Sequence, residues 1–424
     1  MGTIYSNKWV DTAVITFSIV KAVISFIRDT AIQKFLFAIH RHRYVPVASP
    51  KNVVVIGASF AGYHAAKLLA NSLPTGYEVI LIEKSSHFHF TWVFPRFSVV
   101  GGHEHKAFVP YGPYFEGAPN GSWRMIQDTV LEIGPNNISL KSGAMMDYEF
   151  LVLATGSHAG PPSRFDAEEK SDGIKALQTL QRDIQNANDL VVVGGGAAGV
   201  ELAADAKTHY TQKNVTLVHS RKTLLNKFGV KLHGAALEAL EKMGVRVILG
   251  ERIEKHNEND GFVVLGSGTA IPCDFLVQCT GQRAASDIIA KLFPHIISPS
   301  GGYVKVKSTL QIADDRFNNI YAAGDVIDYP CPKNGRSATF QAEVVSTNIL
   351  RAIQGRPPVN YQPNMVIEGG IELTLGLDEN IIYITDGARD INLRTKSKDI
   401  ALKSKQCWRR FGTVPFLDRS RNEH

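Results

Sequence analysis

Apolar residues follow two distinct patterns along the chain. Short unbroken runs recur at Val53-Val54-Val55-Ile56, Val79-Ile80-Leu81-Ile82, Leu151-Val152-Leu153, Leu190-Val191-Val192-Val193, Val215-Thr216-Leu217-Val218, Leu276-Val277 and Ile320-Tyr321-Ala322-Ala323. Runs that are apolar at nearly every position suit strands buried on both faces, as in a parallel sheet. Helical patterns separate several of them, so the chain reads as α/β. The second pattern runs from Trp9 to Ile39. There Asp11, Ser18, Lys21, Ser25 and Arg28 recur on one narrow helical stripe, while Val14, Phe17, Val20, Ile24, Ile27 and Phe35 cover the rest. Charges interrupt this helix too often for a comfortable span. A helix lying in a membrane interface with its polar stripe toward water is the expectation, a helix packed on the protein body the alternative. Further on, Ile371-Glu372-Leu373-Thr374-Leu375-Gly376 reads as a strand. The basic stretch from Arg394 to Arg410, interleaved with Leu402 and Trp408 and followed by Phe411, reads as an amphipathic helix, at a membrane surface or packed over the site.

The strands lead into chemistry at their carboxyl ends. The first run enters Gly57-Ala58-Ser59-Phe60-Ala61-Gly62, a helix follows through Leu69, and the next strand ends at Glu83, twenty-one residues after Gly62. Strand, glycine turn, helix, strand and acid make the dinucleotide fingerprint: the turn brings backbone N–H groups to a pyrophosphate and the acid meets the ribose. Ser59 stands where the pattern has its second glycine. The motif recurs 137 residues on, where Leu190–Val193 enters Gly194-Gly195-Gly196-Ala197-Ala198-Gly199 and a helix with Glu201. Each copy has a companion strand stopping at Thr-Gly, in Ala154-Thr155-Gly156 and Cys279-Thr280-Gly281. The run 320–323 ends at Gly324-Asp325, where a carboxylate is placed for a polyol chain.

Composition narrows the class further. At 424 residues, 44% hydrophobic and 20% charged, the chain is globular and long enough for two or three domains. Its four cysteines form no C-x-x-C pair, and no charge-free run reaches the roughly 18 residues of a membrane span. The net charge of +6 divides unevenly, with +4 in residues 1–50, +6 in residues 389–424 and about −4 between them. Basic ends on a mildly acidic body suit an anionic membrane surface better than a nucleic-acid groove. Met1-Gly2-Thr3-Ile4-Tyr5-Ser6 also matches the N-myristoylation pattern, which would add a second membrane signal.

The order GASFAG…E, ATG, GGGAAGVE, CTG, AAGD resembles the two-dinucleotide-fold flavoprotein reductases over residues 51–355. Within them the chain is most similar to the apoptosis-inducing-factor-like group, which includes ferroptosis-suppressor quinone reductases and fungal AMID-like oxidoreductases. The stretches Ile82 to Phe88, Phe94 to Ser98 and Val218-His219-Ser220 carry this closer likeness, and type II NADH dehydrogenases are the next relatives. The resemblance implies two Rossmann-like domains. The expected division is an N-terminal membrane-associating segment (1–50), an FAD domain in two parts (51–165 and 301–355), an inserted NAD(P)H domain (166–300) and a C-terminal segment (356–424). It assigns Gly57, Ala58, Ser59, Phe60 and Ala61 to the FAD pyrophosphate and Glu83 to the adenosine ribose. Arg96 is expected beside the flavin dinucleotide, Val130 at the adenine through its backbone, and Asp325 at the ribityl chain or pyrophosphate. Gly194, Gly196 and Gly199 are assigned to NAD(P)H and Glu201 to positioning the nicotinamide. The glutamine of Ala338-Thr339-Phe340-Gln341-Ala342 is expected near a quinone site, although the alanine-glutamine signature of type II dehydrogenases is only partly present.

Departures from the family pattern sharpen the expected chemistry. The helix after the first glycine turn has no cysteine from Phe60 to Ser72, so no dithiol relay operates and reduced flavin serves an acceptor directly. His219 stands where an NADH site has an acid, with Arg221 nearby, so NADPH is expected to serve at least as well as NADH. His87, His89, His103 and His105 form two H-x-H pairs, but no cysteine or dense acid cluster joins them, and no metal site is assigned. The leading expectation is an FAD-dependent NAD(P)H oxidoreductase passing two electrons to a quinone or other small acceptor. Monotopic association with an intracellular membrane, mitochondrial or cytosol-facing, accompanies it. A pathway-specific secondary-metabolite substrate is the second reading and a signalling flavoprotein with little turnover the third. Trp408 and Phe411 are too few for a stacking platform, so nucleic acid ranks last as a partner.

Overall fold

The computed structural model describes residues 8–256 and 260–418, with side chains from residue 12 onward. The acylation pattern at Gly2 and the side chain of Asp11 lie outside the described residues. The unbroken apolar runs are strands, and they assemble into two parallel sheets. The first has the spatial order Ile320–Ala322, Phe150–Leu153, Lys51–Ile56, Tyr77–Glu83, Trp123–Gln127. The second has the order Arg246–Leu249, Asn214–His219, Asp189–Val193, Phe275–Gln278. Val53, Val54, Val55, Ile80 and Leu81 are fully buried, as runs covered on both faces must be.

In each sheet the strand order reverses at the strand that ends in a glycine turn, and ligands of open α/β sheets gather at that switch point. Gly57 and Gly194 hold φ of +96° and +118°, which a side chain resists. A Cβ on either would also collide with the carbonyl of Ala154 or Cys279 at the end of the companion strand. Gly62 and Gly199 pack against the carbonyls of Gly57 and Gly194, so each helix lies directly on its own turn. The Thr-Gly strand ends are thus places where one backbone approaches another.

Around the sheets lie a three-stranded antiparallel sheet (Ile371–Leu375, Glu379–Thr385, Asp390–Lys396) and the helix α1 (Lys8–Arg43). The 371–376 strand is where the sequence places it. The basic stretch 394–410 differs from expectation, because it divides into the end of a strand and a seven-residue helix, Ser404–Arg410. Trp408 is fully buried with its indole N–H on the Lys106 carbonyl at 2.9 Å, and Phe411 packs on Phe88, Tyr63 and Tyr114. Pairing with Glu379–Thr385 claims the first half as strand, and aromatic burial claims the rest for the protein body. This segment packs on the protein body, the second of the two expected arrangements.

The helix α1 extends about 54 Å at 1.5 Å per residue. Arg41 and Tyr44 fix its end, donating to the Gly117 carbonyl at 2.6 Å and to the carbonyls of Tyr77 and Gly121 at 2.9 and 2.8 Å. Its polar stripe is not its whole wet face. Lys21 and Arg28 are exposed, but so are Phe17, Val20, Ile24, Ile27 and Phe35. Among the described residues no helix is long and apolar enough to cross a membrane.

Candidate functional site: a cavity between two glycine turns

Both glycine turns adjoin one cavity of roughly 1950 Å³, lined by residues of both glycine-turn segments, of the C-terminal segment and of α1. Typical small-ligand pockets hold about 300–1,000 Å³, so there is room for more than one ligand. At the first turn, Gly57, Ser59, Phe60 and Ala61 line it. Ser59, at the N-cap of α2 (Phe60–Ala70), makes no side-chain cap bond, so the first-turn N–H groups stay available to an anion. Glu83 faces the same space and braces the turn, its carboxylate accepting from Ala58 N at 2.6 Å and Ser85 N at 2.9 Å. Opposite lie Gly324 and Asp325, and Gln282 Nε2 donates to Asp325 Oδ2 at 3.2 Å. Burial raises the Asp325 pKa, opposed mainly by the Lys333 ammonium. A third helix, Gly335–Ile353, points its start at the cavity, but Asn334 caps it by accepting from the N–H groups of Arg336 and Ser337, each at 3.0 Å. An open helix start, a braced turn and a carboxylate opposite fit a flavin dinucleotide.

The second turn repeats this arrangement with one change. The helix Ala197–His209 is also uncapped by a side chain, with Gly196 at its N-cap. The brace is His219, whose Nδ1 accepts from Gly195 N at 3.1 Å. That bond leaves the proton on Nε2, a buried donor beside the Thr223 backbone. Gly194, Gly196, Gly199, His219 and Arg221 do not line the cavity, while Ala197, Ala198 and Glu201 do. Glu201 is buried at 5% exposure, far from a solvated helix acid, and accepts from Thr374 N at 3.2 Å. Burial, with the nearby Asp205 carboxylate, pushes its pKa up to about 8, against the bond from Thr374.

Three of the expected residues are not among those lining this cavity. Arg96 does not line the cavity; its neighbour Pro95 does. At 1% exposure its guanidinium donates to Asp205 Oδ2 at 2.6 Å and to the Gly376 carbonyl at 2.7 Å. Carboxylate attraction in a dry interface holds Nε of that side chain on Asp205. Val130 also lies outside the lining, buried in a small antiparallel sheet beside Leu140. Gln341 is buried behind the lining, where Oε1 accepts from Gly324 N at 2.7 Å and holds the Gly324-Asp325 turn. His87 and His89 line the cavity on a strand paired with Phe108–Pro110, whereas His103 and His105 belong to the neighbouring 3₁₀ turn. Sequence reasoning passed over Tyr111, whose hydroxyl donates to the Ala58 carbonyl at 3.0 Å, and Gln282. The position of Gln282, directly after Cys279-Thr280-Gly281, was a usable signal, but nothing local marks Tyr111.

Two parallel sheets, each with an uncapped glycine-turn helix beside a shared cavity, define an FAD- and NAD(P)H-dependent oxidoreductase with two dinucleotide folds. Comparison with known proteins agrees: residues 51–347 match the pyridine nucleotide-disulphide oxidoreductase model, and the chain belongs to that family. It is similar to Fe-regulated protein 8 of Mycosarcoma maydis, 31% identical over 85% of this chain and 95% of that protein. Ferroptosis suppressor protein 1 of Taeniopygia guttata is 30% identical over 86% of this chain and 96% of its own length. Among solved structures, the sulfide:quinone oxidoreductase of Aquifex aeolicus superposes with a TM-score of 0.69 at 19% identity, covering 86% of this chain and 92% of that one. These likenesses place the chain with the apoptosis-inducing-factor-like oxidoreductases. The disulphide of the family name has no counterpart on α2, which contains no cysteine.

Proposed function

We propose that this oxidoreductase takes hydride from NAD(P)H and delivers two electrons to a quinone-type acceptor at a membrane surface. The overall reaction consumes NAD(P)H, one proton and quinone, and yields NAD(P)⁺ and quinol. The observation that carries the reading is the single cavity, continuous from both glycine turns to the apolar flank of α1. Bound FAD supplies a hydride acceptor and a two-electron donor in one group. On this reading Gly57 to Ala61 hold its pyrophosphate, Glu83 its ribose and Asp325 its ribityl chain. Residues 51–165 and 301–355 form its domain around the inserted 166–300. Gly194, Gly196 and Gly199 take the nicotinamide dinucleotide. The Nε2 proton of His219 and the guanidinium of Arg221 meet a ribose 2′-phosphate, which favours NADPH. Glu201, protonated at neutral pH, positions the nicotinamide without bringing a charge to it. The absence of a dithiol beside the first turn and the likeness to ferroptosis-suppressor proteins both support direct transfer to a small acceptor.

An anaerobic visible spectrum of the detergent-solubilised holoprotein tests this reading. One equivalent of NADPH is expected to bleach the oxidised-flavin band within seconds, and a short-chain quinone to restore it. A band that bleaches and stays bleached in excess quinone would overturn the acceptor assignment, and one that bleaches only over minutes would overturn the reductase reading itself.

A further inference from the structure

The segment 404–418 closes one side of the cavity beside the first glycine turn. Its helix, Ser404–Arg410, brings Gln406, Cys407 and Arg410 to the lining, and Phe411 follows. The Phe411 ring lies 4.5 Å from that of Phe88, and Phe88 lies 5.0 Å from Phe60 at the start of α2. The chain turns at Gly412, where φ is +75° and a Cβ would stand 2.7 Å from the Pro113 carbonyl, so glycine is required. Lys106 meets the segment twice. Its carbonyl accepts from the Trp408 indole at 2.9 Å, and its ammonium lies 5.1 Å from the centre of the Phe416 ring. Phe416 holds φ of +68°, a backbone state that a bulky residue keeps only where its surroundings impose it. Asp418 supplies the restraint beyond it. One carboxylate oxygen lies 2.8 Å from His87 Nε2 and 2.5 Å from Lys170 Nζ, and Lys170 lies 5.9 Å from the ring centre of Trp408. The His87, Lys170 and Asp418 side chains are 2%, 18% and 14% exposed, so water screens this pairing far less than a surface one.

His87 stands four residues after Glu83 and lines the cavity with Ser85. Its Nδ1 lies 2.9 Å from Ser86 Oγ, and Ser85 N donates to the Glu83 carboxylate. The far end of the segment is thus pinned to the turn beside the acid read as the ribose ligand, and to the start of the helix Lys170–Asn186. We propose that 404–418 is a strap that must open for FAD to enter or leave, with His87, Lys170 and Asp418 as its latch. The proposal rests on the assignment of FAD to the first turn. A ligand behind the strap leaves no faster than the strap opens, so the latch sets how long the holoprotein keeps its cofactor. Release of Asp418 also lets the Phe416 backbone relax, which opens the strap back toward its anchor at Trp408. His87 and Asp418 are therefore positioning residues, acting on FAD through the strap and through the turn that joins Ser85 to Glu83.

The test follows the full-chain holoprotein in saturating FAD, with two readings. One is the exchange of bound FAD for isotope-labelled FAD. The other is alkylation of Cys407 by iodoacetamide, located by peptide mass spectrometry. Cys407 is buried on the strap, and Cys273, buried in the core of the second unit, serves as the control for general unfolding. Asp418→Asn and Lys170→Met each remove a charge-assisted hydrogen bond, and each is expected to speed FAD exchange and Cys407 alkylation by about tenfold or more. Cys273 is expected to react at its wild-type rate. Faster alkylation of both cysteines would mean general loosening and overturn the latch. Faster Cys407 alkylation without faster FAD exchange would overturn the gate, since FAD would then have another exit. Unchanged rates in both variants would overturn strap and latch together. Glu83→Gln checks the first-turn assignment by itself: FAD exchange no faster than in wild type would overturn that assignment, whatever the strap variants do.

Discussion

Glu83 and Glu201 border the same cavity, yet their surroundings give them different work. Glu83 meets two backbone N–H groups at the end of its strand, a role readable from its spacing after Gly62. Glu201 meets one, from Thr374, and is otherwise enclosed with Asp205 one helical turn away. Its spacing marks it as a helix residue, but only the fold brings up the 371–375 strand that buries it, so its burial was not legible in the sequence. The burial has a measurable consequence. A carboxyl whose folded pKa stands at about 8, above the ordinary value near 4.5, keeps a proton that the unfolded chain releases. Stability from this group is therefore complete below the unfolded pKa and declines as pH rises toward 8. Glu201→Gln has no such proton to lose. Its melting temperature relative to wild type is expected to rise steadily between pH 5 and pH 8, and parallel curves would show that Glu201 is ionised in the fold. The same substitution keeps size and hydrogen bonding, so a slower NADPH-driven bleach in it would report positioning rather than collapse.

Short elements separate what pattern can foretell from what it cannot. Unbroken apolar runs gave every strand of the two parallel sheets that was sought in them, because burial on both faces leaves no choice of residue. Alternating basic and apolar residues from Arg394 to Arg410 fit a helix equally well in isolation, and long-range pairing overrode that preference. Ile391 and Leu393 take their places opposite Ile384 and Ile382 in the sheet. The remaining helix, Ser404–Arg410, is too short to hold itself and depends on one anchor. Trp408 is fully buried with its indole nitrogen satisfied, while Gln406, Cys407, Arg410 and Phe411 border the cavity. Trp408→Ala removes the anchor and leaves the Lys106 carbonyl unmet. A loss of about 3–5 kcal/mol is expected in the denaturant midpoint. Weaker retention of FAD through gel filtration should accompany it. A cost below about 1 kcal/mol would mean that the helix is held by its basic residues instead.

The whole molecule depends on contacts that no local motif announces. Both glycine turns, both sheets and their acids were legible, since each dinucleotide unit is contiguous in sequence. The relation of one unit to the other is set elsewhere, notably at Arg96. Its guanidinium joins the short helix Phe94–Phe97 to Asp205 on the second unit's helix and to Gly376 in the C-terminal segment. The family likeness pointed to a ligand contact, but the partner that claims the side chain lies more than a hundred residues away. Asp205 is fully buried, and its pKa is pushed up to about 6 by burial even with Arg96 opposing that shift. Removing either member strands the other in a dry interface. Arg96→Met and Asp205→Leu are each expected to cost about 3–5 kcal/mol. The double variant should cost clearly less than their sum, because two apolar side chains can fill the space that two charges held. If the pair acts only in stability, the double variant will also regain the wild-type rate of NADPH-driven flavin bleaching. We expect it not to. Packing alone carries no direction, whereas a guanidinium bonded at two angles fixes how the second unit faces the first. A double variant that recovers its melting temperature but bleaches at least about tenfold more slowly would separate these two contributions. Full recovery of both would leave the pair as cement between units whose orientation is set by other contacts.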